Sequence, residues 1–357
     1  MKILLLKFRN IGDVLLITPL ISNLKLFYPD AQIDVALNSG TQDMVRLNPN
    51  ISKVLVFERA QIKSQNVISK IWSECNFFYS FRKKKYELVI NLTEGDRAGF
   101  ISLLTNAKIR LGYLSSNWLL RSAYTQFLPK QDFRHTIETN LDPLKVLKIP
   151  IKSKKVDIFW KDSDDQTIDK ELSNIDEFIH IHPVSRWLFK CIEDQTMAKI
   201  IDFCEYELRI RVVLTADSNI YEIGKIESIL NYCSSNPLNL SGKLTIKQTA
   251  ALNKRAKLFI GVDTAIMHIS ASNDTPVFAF FGPSGADNWG PWDNSLIVST
   301  YNHRNGLQTM GKHRVFSESR ACQPCGNDGC NGTKISDCLM SMNFINIQKN
   351  IQEMLGE

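Results

Sequence analysis

The sequence predicts an α/β protein built from two doubly wound domains with parallel sheets. Three observations predict it. Short β-rich runs alternate with helix-length segments in both halves of the chain. That alternation lapses around residues 150–177 and then restarts. Finally, 357 residues are more than one typical core holds, which points to about two domains.

In the first half, strands are expected at Ile3–Lys7, Gln32–Leu37, Lys53–Phe57, Leu88–Asn91 and Ile109–Leu111. A helix from Val14 to Tyr28, stopped by Pro29-Asp30, separates the first two. Strand–helix–strand units of this kind cross over right-handed and build a parallel sheet. The polar run IPIKSKKVDIFWKDSDDQTIDKELSNIDE holds one short strand and marks the domain junction. Beyond it come a strand Phe178–His182, a helix Asp194–Glu207, and strands Arg211–Thr215, Lys257–Val262 and Thr275–Phe281. In the tail, Phe344, Ile347, Ile351, Met354 and Leu355 share one helical face, that of a packing helix. The expected domains are therefore residues 1–165 and 175–342, with a terminal helix over 343–357. Two such domains in tandem are expected to face each other across a cleft at the carboxyl ends of their strands, where open α/β sheets bind ligands.

A hydrophobic fraction of 44% and a charged fraction of 22% are those of a globular protein. No run of about 18 apolar residues occurs, which argues against a membrane span. The apolar run in MKILLLKFRN is too short for a signal peptide, so a buried first strand and a cytoplasmic protein are expected. The net charge of +6 fits an anionic ligand or membrane surface and is too weak to argue for nucleic acid. Arg82-Lys83-Lys84-Lys85 reads as a solvated segment. Cys75, Cys191, Cys204 and Cys233 are scattered and read as buried thiols.

Three strand-to-helix turns carry the chemistry. In KLFIGVDTAIMHISAS a buried strand ends at Val262 and a helix begins near Asp263-Thr264. A helix start offers free backbone N–H groups and a positive dipole end, a natural seat for phosphate. Thr264 adds a hydroxyl and His268 lies one turn on, while Asp263 either caps the helix or meets the ligand. In HIHPVSRWLFKCI, Ser185, Arg186 and Lys190 offer a hydroxyl and two cations to a diphosphate, or else form a solvated loop. The third turn, RNIGDVLL, has the outline of a nucleotide-binding turn but only Gly12 where a dinucleotide site wants three glycines. Its Asp13 would repel phosphate. It is either a helix cap or a general base aimed at an acceptor hydroxyl.

The pairing of IGDVLLITPLI with GVDTAIMHISAS…TPVFAFFGPSGADNWGPW resembles glycosyltransferase family 9, the ADP-heptose:lipopolysaccharide heptosyltransferases. The likeness runs essentially from residue 1 to the tail. HPVSRWLFKC and ACQPCGNDGCNGTKISDCL resemble the heptosyltransferase III branch of that family. The resemblance implies a GT-B fold, the arrangement of two Rossmann-like domains. It implies inverting transfer of heptose from ADP-heptose to a heptose of the lipopolysaccharide inner core. The catalytic base falls on Asp13, beside Asn10 and Gly12 on the acceptor side. The donor residues fall on Ser185, Lys190, Glu222, Leu244, Asp263, Thr264, Ala265 and His268. Ala265 departs from the family's common glycine, and Leu244 would flank the adenine. Arg97 and Arg110 are candidates for the phosphorylated acceptor sugars, with a structural role equally open.

No cofactor is required on this reading. The partners are ADP-heptose and the core acceptor, with peripheral contact at the cytoplasmic face of the inner membrane. Cys322, Cys325, Cys330 and Cys338, spaced C-x2-C-x4-C-x7-C, leave open a structural zinc, a disulfide or reduced thiols. A transferase using another nucleotide sugar, a family member of type I or II, and a nucleotide-sugar-binding module without turnover are the competing readings.

Overall fold

β1 (Lys2–Lys7) lies inside a six-stranded sheet with β2 (Gln32–Asn38), β3 (Lys53–Phe57), β4 (Leu88–Asn91), β5 (Ile109–Gly112) and β6 (Gln126–Phe127), in the order β3-β2-β1-β4-β5-β6. Every pairing in it is parallel. A second sheet runs β12 (Gln308–Met310), β13 (His313–Phe316), β11 (Val277–Phe280), β10 (Leu258–Val262), β7 (Phe178–His182), β8 (Arg211–Leu214), β9 (Leu238–Asn239). It too is parallel except for β12, which pairs antiparallel with β13. This computed structural model describes residues 1–58, 66–115, 117–130 and 133–356. They divide into two compact units, Met1–Phe159 and Trp160–Glu357.

Helices cover both faces of each sheet, so its central strands are buried continuously rather than alternately. That is why ILLL and LFIGV read as strands without a period of two. The chain order reverses between β1 and β4 in the first sheet and between β7 and β10 in the second. A crevice opens at the carboxyl ends of the strands at each such reversal. In the first unit Lys7 and the turn to Asp13 lie there. In the second, the segments 183–190 and 263–265 do.

The structure alters several expected elements. The helix expected from Val14 is two helices, Ile11–Leu15 and Thr18–Phe27. Pro19 has no N–H to give Leu15, and the Thr18 hydroxyl bonds the Leu15 carbonyl instead, at 2.9 Å. The helix from Asp194 is α-helical only to Asp202 and widens into a π turn over Phe203–Glu207. No strand forms within 150–161; the chain there is irregular. The helix Asp162–Glu171 belongs to the second unit, where Ile168 and Leu172 pack with Leu252 and Leu240. Residues 160–165, expected at the end of the first domain, thus go with the second. The tail helix, Phe344–Leu355, is built into the main core of that unit through Ile347 and Ile351, with Phe344, Met354 and Leu355 against its rim. Among the described residues no helix is long and apolar enough to cross a membrane.

Candidate active site

At the reversal in the second sheet, β10 and β7 run in contact, with Gly261 opposite His182. A Cβ on Gly261 would lie 2.7 Å from the His182 carbonyl, so only glycine lets the two strand ends come this close. The segments that leave these ends carry Lys190 and Asp263. The Lys190 ammonium donates to Asp263 Oδ2 at 2.5 Å, across 73 residues of sequence. Burial alone would raise the Asp263 carboxyl. The Lys190 charge, hydrogen bonds from Lys190 and Ser284, and the His268 charge outweigh it and hold the carboxyl below its usual range.

Thr264, not Asp263, caps the helix Ala265–Ser272: its hydroxyl accepts from Met267 N–H at 3.5 Å. The capping alternative for Asp263 is thereby corrected, since its carboxylate is spent on Lys190 and Ser284. Ala265 is the first helical residue and its backbone N–H belongs to the open first turn. His268 is buried beneath that turn. Ser185 is buried too, and its hydroxyl accepts from Trp187 N–H at 3.2 Å, so it orders the loop that ends in Lys190.

Glu222 lies in the first turn of the helix Ile220–Leu230 and accepts from Asp217 N–H at 3.0 Å. Burial raises its carboxyl, against that hydrogen bond. Its charge reaches the Cys191 thiol next to Lys190, where burial pushes the thiol up to about 11. Leu244 packs on the cluster of Ile168, Leu252 and Trp160. The structure therefore gathers Lys190, Asp263, Thr264, Ala265 and His268 and leaves Leu244 on a packing surface. Ser284 was not among the expected residues. The signal for it was the FGPSG turn after β11, a third strand end at the same sheet edge.

In the first unit Asn10 holds the cap position of the helix Ile11–Leu15 with no side-chain hydrogen bond, and Gly12 is its second residue. Asp13 lies in the first turn, so it is not the cap. Its Oδ1 is 3.7 Å from the Nζ of Lys7, and both side chains are largely buried. Lys7 was also not expected. A lysine ending the otherwise apolar strand KILLLK is the sequence signal for it.

The two arginines proposed for the acceptor are engaged within the unit. Arg110 donates to the carbonyls of Ala123, Ala107 and Ser122, tying β5 to the chain before β6. Arg97 lies over the Phe57 ring, 4.3 Å from its centroid, and 4.0 Å from Glu74. For Arg110 the structural alternative accounts for the whole guanidinium edge.

Cys322 and Cys325 are exposed, Cys330 is half-buried, and Cys338 is buried; all are free thiols. Burial, with Cys330 and then Cys322 and Cys325 nearby, pushes the Cys338 thiol up to about 11. Among the described residues no group of three or more His, Cys, Asp or Glu side chains is arranged to hold a metal ion. Cys191 and Cys204 are buried thiols as expected and Cys233 is half-buried, while the side chain of Cys75 lies outside those described.

Comparison with known proteins places these features in a family. Residues 75–318, more than half of the chain, match glycosyltransferase family 9 (heptosyltransferase). Lipopolysaccharide heptosyltransferase 3 of Escherichia coli is 31% identical over 301 residues, which cover 80% of this chain and 85% of that one. Among solved structures, a family 9 glycosyl transferase from Veillonella parvula superposes with a TM-score of 0.79 at 19% identity, covering 99% of this chain and 97% of that one. E. coli heptosyltransferase WaaC with ADP gives 0.71 at 16% identity, covering 99% and 100%. Those two likenesses are of fold, and the fold is of the α/β, GT-B class. The protein is a glycosyltransferase, and on the sequence match and the relationship to the E. coli enzyme the chain belongs to glycosyltransferase family 9.

Proposed function

We propose that this protein moves heptose from ADP-heptose to a heptose of the lipopolysaccharide inner core, in the manner of a type III heptosyltransferase and with inversion at the anomeric carbon. The observation that carries the reading is Lys190 held by Asp263 beside the start of the helix Ala265–Ser272. An ammonium next to open backbone N–H groups is an anion seat, and a diphosphate leaving group supplies the anion. Asp263 aims the lysine, and a bound diphosphate competes with it for the ammonium.

In this mechanism the second unit holds ADP and the first supplies Asp13. Asp13 takes the proton from an acceptor hydroxyl as its oxygen attacks the anomeric carbon opposite the ADP. The bond to the diphosphate breaks in the same step, and Lys190 with the Thr264–Ala265 turn takes up the growing charge. A direct displacement needs one base and no protein nucleophile, and it inverts the centre. The type III assignment leans on the 31% identity to heptosyltransferase 3 of E. coli. An acceptor anchored in a membrane calls for peripheral contact with its surface.

The test is transfer of labelled heptose from ADP-heptose to core acceptors that present different heptose hydroxyls. Transfer to a heptose-bearing acceptor is expected, with inverted configuration in the product. An absence of transfer to every such acceptor by the native protein sinks the reading.

A further inference from the structure

We infer that Lys7 is a positioning residue for Asp13: a buried ammonium, anchored by Asn140 and the Leu92 carbonyl, that fixes the aim of the carboxylate. The inference rests on the proposed role of Asp13 as base. β1 is apolar from Ile3 to Leu6, and packing alone gives no reason for it to end in a cation. Lys7 is nonetheless only 4% exposed. Its Nζ has three acceptors around it, each from a different segment of the chain. Asn140 Oδ1 lies at 3.2 Å, the Leu92 carbonyl at 3.4 Å and Asp13 Oδ1 at 3.7 Å. The first two accept hydrogen bonds from the ammonium, and Asp13 adds an ion pair on its remaining side.

Asn140 does a second job. Its Nδ2 donates at 3.0 Å to the carbonyl of Leu16, which ends the helix that carries Asp13. One buried amide thus holds both the ammonium and the helix beneath the carboxylate. Asp142 lies two residues on, but it is committed to Arg134 and Lys145. Arg9, the other charge that Lys7 feels, is exposed and lies 3.7 Å from Glu94. Burial lowers the Lys7 ammonium and Arg9 lowers it further, while Asp13 opposes both. Asp13 is thus the charge that partly offsets the cost of burying this cation.

The experiment has a kinetic arm and a substrate-free arm. In K7M, kcat for heptose transfer is expected to fall about 10- to 100-fold, with the KM for ADP-heptose held within about twofold. K7R, which keeps the charge, is expected to recover most of the lost kcat. Native kcat in K7M overturns the inference. The second arm follows the Lys7 side chain by NMR of labelled lysine through its titration. D13N is expected to lower the Lys7 midpoint, and an unmoved midpoint overturns the inference even if K7M fails to fold. The arms also separate the two readings. Full transfer by D13A refutes Asp13 as base, whereas a Lys7 midpoint indifferent to D13N refutes the pair.

Discussion

Lys190 and Asp263 meet at 2.5 Å although 73 residues separate them in the chain. They come together because β7 and β10 are neighbours at the point where the order of the second sheet reverses. The pair sets a cation near the start of a helix, and under the proposed function it leads to the first expectation.

K190A should lower kcat/KM for ADP-heptose by about 100- to 1,000-fold, the range for removing one donor from developing charge. D263N should cost less, since it keeps the ammonium and loses only its aim. Steady-state kinetics with the donor varied measure both. A K190A variant with native kcat/KM would show that the diphosphate is held elsewhere.

D13N should lower kcat by about 100- to 10,000-fold, the range for a general base. Calorimetric affinity for ADP should be unchanged, because the residue carrying the variation belongs to the other unit. An equal loss in ADP affinity would move Asp13 from the base to donor binding.

Stability should fall on acidification because three buried histidines are held neutral. Burial pushes His182 and His313 down to about 4, against the opposing charges of Asp217 and Asp293. His180 is driven down by burial and then by His182. In the unfolded chain such groups bind protons near pH 6.5. Their contribution is therefore complete above about pH 6.5 and is lost as pH falls toward 4, by about 3 kcal/mol for His182. Urea midpoints at pH 7.5, 6 and 5 should decline in order, and a flat series would contradict this. Thr215, whose hydroxyl bonds His180 and His182, is the position where a valine should weaken the protein at neutral pH.

Arg110 should prove structural. R110A removes its hydrogen bonds to three carbonyls and should destabilise the first unit by about 2–4 kcal/mol. Thermal unfolding should show the loss, and the KM for the acceptor should move little at temperatures where the variant is folded. A raised acceptor KM with an unchanged melting temperature would restore it to the binding site.

Much of the site was legible because its parts are local. A strand followed at once by a polar turn and a helix announces a ligand-facing strand end, and Asp13, Lys190 and Thr264 were singled out as candidates in that way. For Arg110 the sequence left acceptor binding and a structural role equally open, because an arginine on a strand shows its charge but not the carbonyls that absorb it. Thr264 and Asp263 are adjacent and both can cap, and only the hydrogen bonds assign the cap to Thr264.

By itself the sequence determined the longer strand runs, the restart of the α/β pattern after residue 150, the packing face of the tail helix and the three turns, but not the short strands β6, β9, β12 and β13. The features it determined follow from periodicity and local turn chemistry. Tertiary structure alone decided which charges meet. Lys7 lies six residues from Asp13, yet its anchors, Leu92 and Asn140, come from 85 and 133 residues away. The reason is physical. A strand's register fixes which way each side chain leaves the sheet, but its partner is fixed by which strands lie side by side, and that order is a property of the whole fold.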